Sequence, residues 1–238
     1  MLRPLLTAVF EYFWAYQVLK KGKIQPRTIA AVLFFLATFQ LGEVIIFLTN
    51  GHYLGFQIAY IATTLLPPLG VLLISQLTGK KYAYPFFQGL AFIFISFMIL
   101  DPHFVLGFEI NSCCISVFDY ARPIRHWWPL YYQGTLLFSI LLMIYHLMQP
   151  TEPQNRSILM RLLIGYLSFD LSALLLAKAG LIDNSTVPSA MCALAFFAAY
   201  IFSRISLDMQ PCTVEPKTKL QPTPIARHDH SHSENNHR

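Results

Sequence analysis

Three acids stand inside long apolar stretches of this sequence: Glu11, Glu43 and Asp170. An ionisable side chain in hydrocarbon costs about 3 kcal/mol or more, so each is by default a candidate ligand or proton site. Glu43 follows Gln40 by three residues, a spacing that puts both on one face of a helix. Gly42 beside them lets a neighbouring helix come close. That face is either a protonatable or ligand-binding surface, or a packing device in which Glu43 hydrogen-bonds to the next helix. Asp170, between Ser168 and Ser172, carries the same two readings. Glu11 ranks below them because its apolar stretch is short enough to lie at an interface. Arg161 and Lys178 sit nearer the ends of their stretch, where long cationic side chains reach water.

Further polar residues lie at a depth similar to that of Glu43. Asp101, Pro102 and His103 close one apolar stretch, and Gln133 falls in the outer half of the next. Depth alone allows Gln40, Glu43, Asp101, His103 and Gln133 to line one outward-opening pocket. Thr63-Thr64-Leu65-Leu66-Pro67-Pro68 lies mid-stretch. Each proline removes an N–H and frees the carbonyl four residues back, here those of Thr63 and Thr64. Pro68 also disfavours helical geometry at Pro67. A kink or helix break at Pro67 and Pro68 is therefore expected, a plain structural kink or one wall of a cavity; broken backbone is tolerated only where protein or a watery cavity surrounds it. The run His126, Trp127, Trp128, Tyr131, Tyr132 reads as an interfacial aromatic belt, with a substrate-stacking platform as the sharper alternative.

The elements that must position these residues follow from composition. Of 238 residues, 55% are hydrophobic and 12% charged, about half the usual charged share of a soluble domain. Mean hydropathy is +0.49. A cytosolic globular enzyme and a disordered chain are both excluded outside the C-terminal tail, which leaves a polytopic membrane protein. A bilayer core about 30 Å thick needs ~20 apolar residues per helix. Seven segments qualify, roughly Leu5–Leu19, Thr28–Thr49, Leu54–Leu77, Tyr84–Leu106, Trp128–Met148, Ile158–Ala179 and Val187–Ile205. The first is the weakest; read as interfacial, it leaves six. It is not a signal peptide, since Lys20, Lys21 and Lys23 follow it and no small-residue cleavage site appears. The expected fold class is all-α, a polytopic transmembrane helix bundle over 1–206 with a tail over 207–238.

Lys and Arg concentrate in short loops on the cytoplasmic side. Lys20, Lys21, Lys23 and Arg27 fill the first loop, Lys80 and Lys81 the third, Arg156 the fifth, and Arg204, Lys217, Lys219, Arg227 and Arg238 lie in or near the tail. The second loop has none, and the fourth balances Arg122 and Arg125 against Asp101, Glu109 and Asp119. The N-terminus is expected outside and the C-terminus inside. The net charge of +5 is explained by an anionic leaflet, so the lipid bilayer is the expected partner and nucleic acid is not.

Cys113 and Cys114 are adjacent in the fourth loop, Cys192 lies in the seventh segment and Cys212 in the tail. One of the adjacent pair could bridge to Cys192; a bridge between neighbours is strained. The tail is rich in Pro, Thr, Lys and His, a disordered composition. Its His228, His230 and His232 alternate, which suits an extended segment around a transition metal, with solvated low complexity as the plainer reading. Asn184-Ser185-Thr186 matches a glycosylation sequon but abuts the membrane. No GxSxG, HExxH, GxGxxG or Walker sequence is present, the seventh segment has no lysine for a retinal Schiff base, and no cofactor is expected.

Phe39-Gln40-Leu41-Gly42-Glu43 in the second segment and Leu65-Leu66-Pro67-Pro68-Leu69-Gly70 in the third resemble a family of small uncharacterised bacterial seven-helix integral membrane proteins. The pattern is also loosely similar to the seven-helix N-terminal sensor region of bacterial histidine kinases. Only a short tail follows the seventh segment, so the resemblance implies a sensor that signals through a separate cytoplasmic partner. The expectation is a bacterial inner-membrane sensor or ligand-binding protein with a pocket in the outer half of the bundle. A small-solute or proton-coupled transporter using Glu43 and Asp170 is the alternative, and an intramembrane enzyme comes third.

Overall fold

A computed structural model describes residues 2–110, 115–150, 153–180 and 187–208, with the side chains at 116, 118, 123, 169–174, 176–177 and 187–193 excepted. These residues form α1 (Leu2–Lys21), α2 (Pro26–Leu48), α3 (Tyr53–Thr78), α4 (Tyr84–Leu100), β1 (Val105–Ile110), β2 (Ile115–Tyr120), α5 (Arg122–Met148), α6 (Pro153–Lys178) and α7 (Val187–Asp208). Helix ends follow local chemistry. Pro26 opens α2 at a position where its missing N–H has no helical role. The His52 ring accepts from the Leu54 N–H at the start of α3, and Gly79, in the left-handed region at φ 67°, ends it.

Two of the sequence expectations are corrected. The fourth apolar segment does not continue as helix to Leu106: α4 ends at Leu100, and Val105 begins an antiparallel two-stranded hairpin. Pro102 cannot extend the helix ladder, and the β-branched and aromatic residues that follow favour strands. Nor does the break alternative at Pro67 and Pro68 occur: α3 runs through both as one helix. The Thr64 carbonyl freed by Pro68 accepts a hydrogen bond from the Tyr131 hydroxyl on α5 at 2.8 Å. Thr63 and Thr64 also donate back to the Ala59 and Tyr60 carbonyls. Cross-helix and local bonds thus supply a partner that the proline ladder lacks.

Successive helices run back and forth, so their ends collect at two faces. At one face Lys23 N–H donates to Ser206 O, Thr28 donates to Gln76, and Tyr82 hydrogen-bonds to His146. At the other, the Phe108 ring of the hairpin packs over Gly51 and against Phe56, with ring centres 5.0 Å apart. The main core draws on all seven helices, and a second cluster joins α2, α3, α4, the hairpin and the start of α5. Gly42 lets the α3 backbone come close: a Cβ there would stand 2.7 Å from the Ala59 backbone nitrogen.

The exterior is apolar as well as the core. Leu100 is 83% exposed and Ile93 64%, and large apolar side chains lie exposed along every helix. Glu11, Gln40, Glu43, Thr64, Thr135 and Ser139 are buried inside. Among the described residues α2, α3 and α5 (over Ile124–Met148) are long and apolar enough to cross a membrane, and α4 is a shorter apolar helix.

Candidate functional site: a cleft under the hairpin and the polar core beneath it

The turn between α2 and α3 needs two residues at positive φ, Asn50 at 53° and Gly51 at 94°. Gly51 suits such a backbone, and the absence of a side chain there also makes room for the Phe108 ring. The α4–β1 connection passes beside this turn, and together they form a cleft of about 280 Å³ lined by His52, Tyr53, Phe56, Pro102, His103 and Phe108 among others. That volume is close to the lower end for small-molecule sites, about 300 Å³. Two imidazoles flank an aromatic ring: Tyr53 lies 4.3 Å from His52 and 5.3 Å from His103 between ring centres. Imidazole donors or acceptors beside stacked rings suit a small planar or polar-edged ligand.

The hairpin is tied down behind the cleft. Ala121 N–H donates to Phe104 O at 2.8 Å, and Arg125 pairs with Asp119 at 3.5 Å, both side chains being exposed. The Tyr120 and Tyr60 hydroxyls share a 2.6 Å hydrogen bond. Burial pushes the Tyr120 hydroxyl up from its usual range, and the bond to Tyr60 opposes that rise. From Tyr60 the polar path continues inward. Its carbonyl accepts from the Thr64 hydroxyl, which in turn accepts from Trp128 Nε1 at 2.8 Å. Tyr131 completes the cluster on the Thr64 carbonyl. Hydrogen bonds at the two ends of Tyr60, its hydroxyl to Tyr120 and its carbonyl from Thr64, therefore tie the hairpin through that residue to the double-proline region of α3.

The predicted site residues fall in different places. His103 lines the cleft and is exposed. Asp101 caps the C-terminus of α4 with its N–H on Phe97 O, and Gln133 is half-buried on α5; neither lines the cleft. Gln40 and Glu43 are both buried on α2 and both have partners. Glu11, ranked lowest from sequence, is fully buried, and neither carboxylate oxygen has a hydrogen-bond partner among the described residues. Asp170 lies in α6, but its side chain is outside the description, as are those of Cys192 and of Cys113, Cys114, Asn184, His228, His230 and His232. Among the described residues no group of three or more His, Cys, Asp or Glu gathers to hold a metal.

The aromatic belt is also corrected. Trp127 is exposed, but Tyr131 and Tyr132 are buried and Trp128 points into the core. Residues three and four apart share a helix face, so 128, 131 and 132 turn inward together. Sequence reasoning missed His52, Tyr53, Tyr60, Phe108 and Tyr120. Val-Leu-Gly-Phe-Glu-Ile and Ile-Ser-Val-Phe-Asp-Tyr on either side of Asn111-Ser112-Cys113-Cys114 carry a strand–turn–strand signal that the apolar run obscured.

A cavity among Val32, Leu66, Tyr132, Tyr166 and Phe202 measures about 30 Å³, room for only a water or two. Compared with known proteins, the chain matches no family model, no curated protein and no solved structure.

Proposed function

We propose that this chain is a seven-span protein of the bacterial inner membrane, N-terminus outside, that binds a small ligand in the cleft under the hairpin. Occupancy is passed to a cytoplasmic partner. Support for the membrane placement is the apolar exterior, with Glu11, Gln40 and Glu43 withdrawn into the interior, together with charge asymmetry. Lys20, Lys21, Lys23, Arg27, Lys80, Lys81, Arg156 and Arg204 belong to one end of the bundle, against Arg3, Arg122, Arg125 and Lys178 at the other. The positive-inside bias makes the first end cytoplasmic, which turns the cleft outward. The seven helices span about 25 to 40 Å at 1.5 Å per residue, the range that a bilayer core about 30 Å thick accepts with tilt.

The observation that carries the sensor reading is the linkage from the Tyr120 hydroxyl through Tyr60, bonded at both its hydroxyl and its carbonyl, to Thr64. It begins where the hairpin closes the cleft and ends at the one stretch of α3 whose backbone ladder is weakened by prolines. A ligand that shifts the hairpin changes the partners of that stretch, the two-arrangement element that coupling requires. The test is a thermal-shift screen of small molecules on the purified protein, repeated with His52→Ala and His103→Ala. Stabilisation lost in both variants supports the cleft; a hit that stabilises all three proteins equally refutes it.

A second reading, proton-coupled transport, is favoured by one observation: Glu11 and Glu43 are both buried among the helices. Proton-driven uptake into proteoliposomes that disappears in Glu43→Gln would support it, and uptake unaffected by that change would remove it.

A further inference from the structure

The exterior of the bundle carries an apolar groove between α1 and α2 of about 520 Å³. Tyr12, Tyr16, Leu19 and Phe34 form its sides, and Ala30 and Ala31 keep its floor low. Tyr16, Leu19 and Phe34 are each about half exposed to the surroundings. The groove ends in positive charge. Arg27 lines its mouth, and the Lys20 ammonium stands 5.8 Å from the centre of the Tyr16 ring. Lys21 and Lys23 lie in the same turn. Ion pairs among the described residues are Arg125–Asp119 and Arg204–Asp208, so none of these four cations is paired with a carboxylate. The groove between α4 and α5 is equally apolar but has no Lys or Arg in its lining.

We propose that the α1–α2 groove binds one anionic phospholipid of the cytoplasmic leaflet, with the phosphate against Arg27 and Lys20 and an acyl chain along the groove. Length agrees with that occupant. From Arg27 to Phe35 the groove follows α2 for about 12 Å at 1.5 Å per residue, most of one leaflet of a core about 30 Å thick. Charge agrees as well: a zwitterionic headgroup brings its own cation to a mouth already crowded with cations, whereas an anionic one neutralises them. The small floor residues leave room for the chain that bulkier side chains would fill. This inference rests on the membrane reading above and on the end carrying Lys20 and Arg27 being the cytoplasmic one.

The experiment is native mass spectrometry of the full chain released from phosphatidylcholine nanodiscs prepared with and without phosphatidylglycerol. One phosphatidylglycerol retained in preference to phosphatidylcholine is expected. Arg27→Gln and Lys20→Gln are each expected to weaken retention about fivefold, and Ala31→Phe to abolish it by filling the groove, with helical circular dichroism confirming that each variant is folded. Equal retention of the two lipids overturns the proposal. Sensitivity to the cation variants but not to Ala31→Phe also overturns it, because the headgroup would then be adsorbing to surface charge without a seated chain. A chain that stays in solution instead of entering nanodiscs refutes the membrane reading, a result distinct from an embedded chain with no lipid preference. Labelling of Lys23→Cys from outside intact cells would refute the leaflet assignment alone.

Discussion

Tyr131→Phe removes one hydroxyl and leaves the ring contact with Phe94, 5.2 Å between centres, in place. The hydroxyl is the donor to the Thr64 carbonyl, and Pro68 has no N–H to replace it. Thr64 is fully buried, so water does not substitute. A buried acceptor left without a partner costs about 1–3 kcal/mol, or roughly 5- to 150-fold in the folding equilibrium. An ordinary inter-helix hydrogen bond in a membrane protein averages about 0.6 kcal/mol. The two magnitudes are separable by supplying the missing N–H. In a Pro68→Ala background the helix can close its own bond onto Thr64, and Tyr131→Phe should then cost about 0.6 kcal/mol or less. The four proteins form a double-mutant cycle, measured by detergent-induced unfolding followed through tryptophan fluorescence, for which Trp128 is bonded to the same threonine. A coupling of about 1 kcal/mol or more is expected. Equal costs of Tyr131→Phe in the two backgrounds would refute the reasoning that Tyr131 stands in for the proline's missing donor.

Other substitutions test the packing and the interior. Gly42→Leu places a side chain against the Ala59 backbone, which cannot move aside as a flexible side-chain tip would. It should destabilise by more than the ~1–3 kcal/mol of ordinary overpacking, read as a fall in the folded, detergent-soluble yield. Glu11→Leu removes a buried carboxyl with no partner among the described residues and should raise stability by about 1–3 kcal/mol in the same unfolding assay. A loss of stability would mean that the carboxyl holds a partner.

The helical layout was largely legible from hydropathy because exposed and core-facing residues are both apolar. Its boundaries were less so. The sixth segment reads as beginning at Ile158, yet α6 starts at Pro153, since Gln154, Asn155 and Arg156 extend the helix beyond the apolar run. The same averaging hid the hairpin: Phe104 to Leu106 is as apolar as the helix before it, and only the alternation beyond it and Pro102 mark the change. Facing was the harder problem. Gln40 and Glu43 are both buried on α2, but which of His126 to Tyr132 turn inward depends on where α3 lies. The Thr64 carbonyl that attracts Tyr131 was foreseeable as an orphan, whereas its donor was not. The cleft residues come from two turns far apart in sequence, and no local pattern joins them.

The most direct test of the account is the side of the membrane on which the cleft lies. In a background with Cys113, Cys114, Cys192 and Cys212 replaced by Ser, single cysteines at His52 and at Lys81 are offered a membrane-impermeant maleimide in intact cells. The account predicts labelling of His52→Cys without permeabilisation and of Lys81→Cys only after it. Labelling of Lys81→Cys in intact cells, or of both positions from the same side, would contradict it.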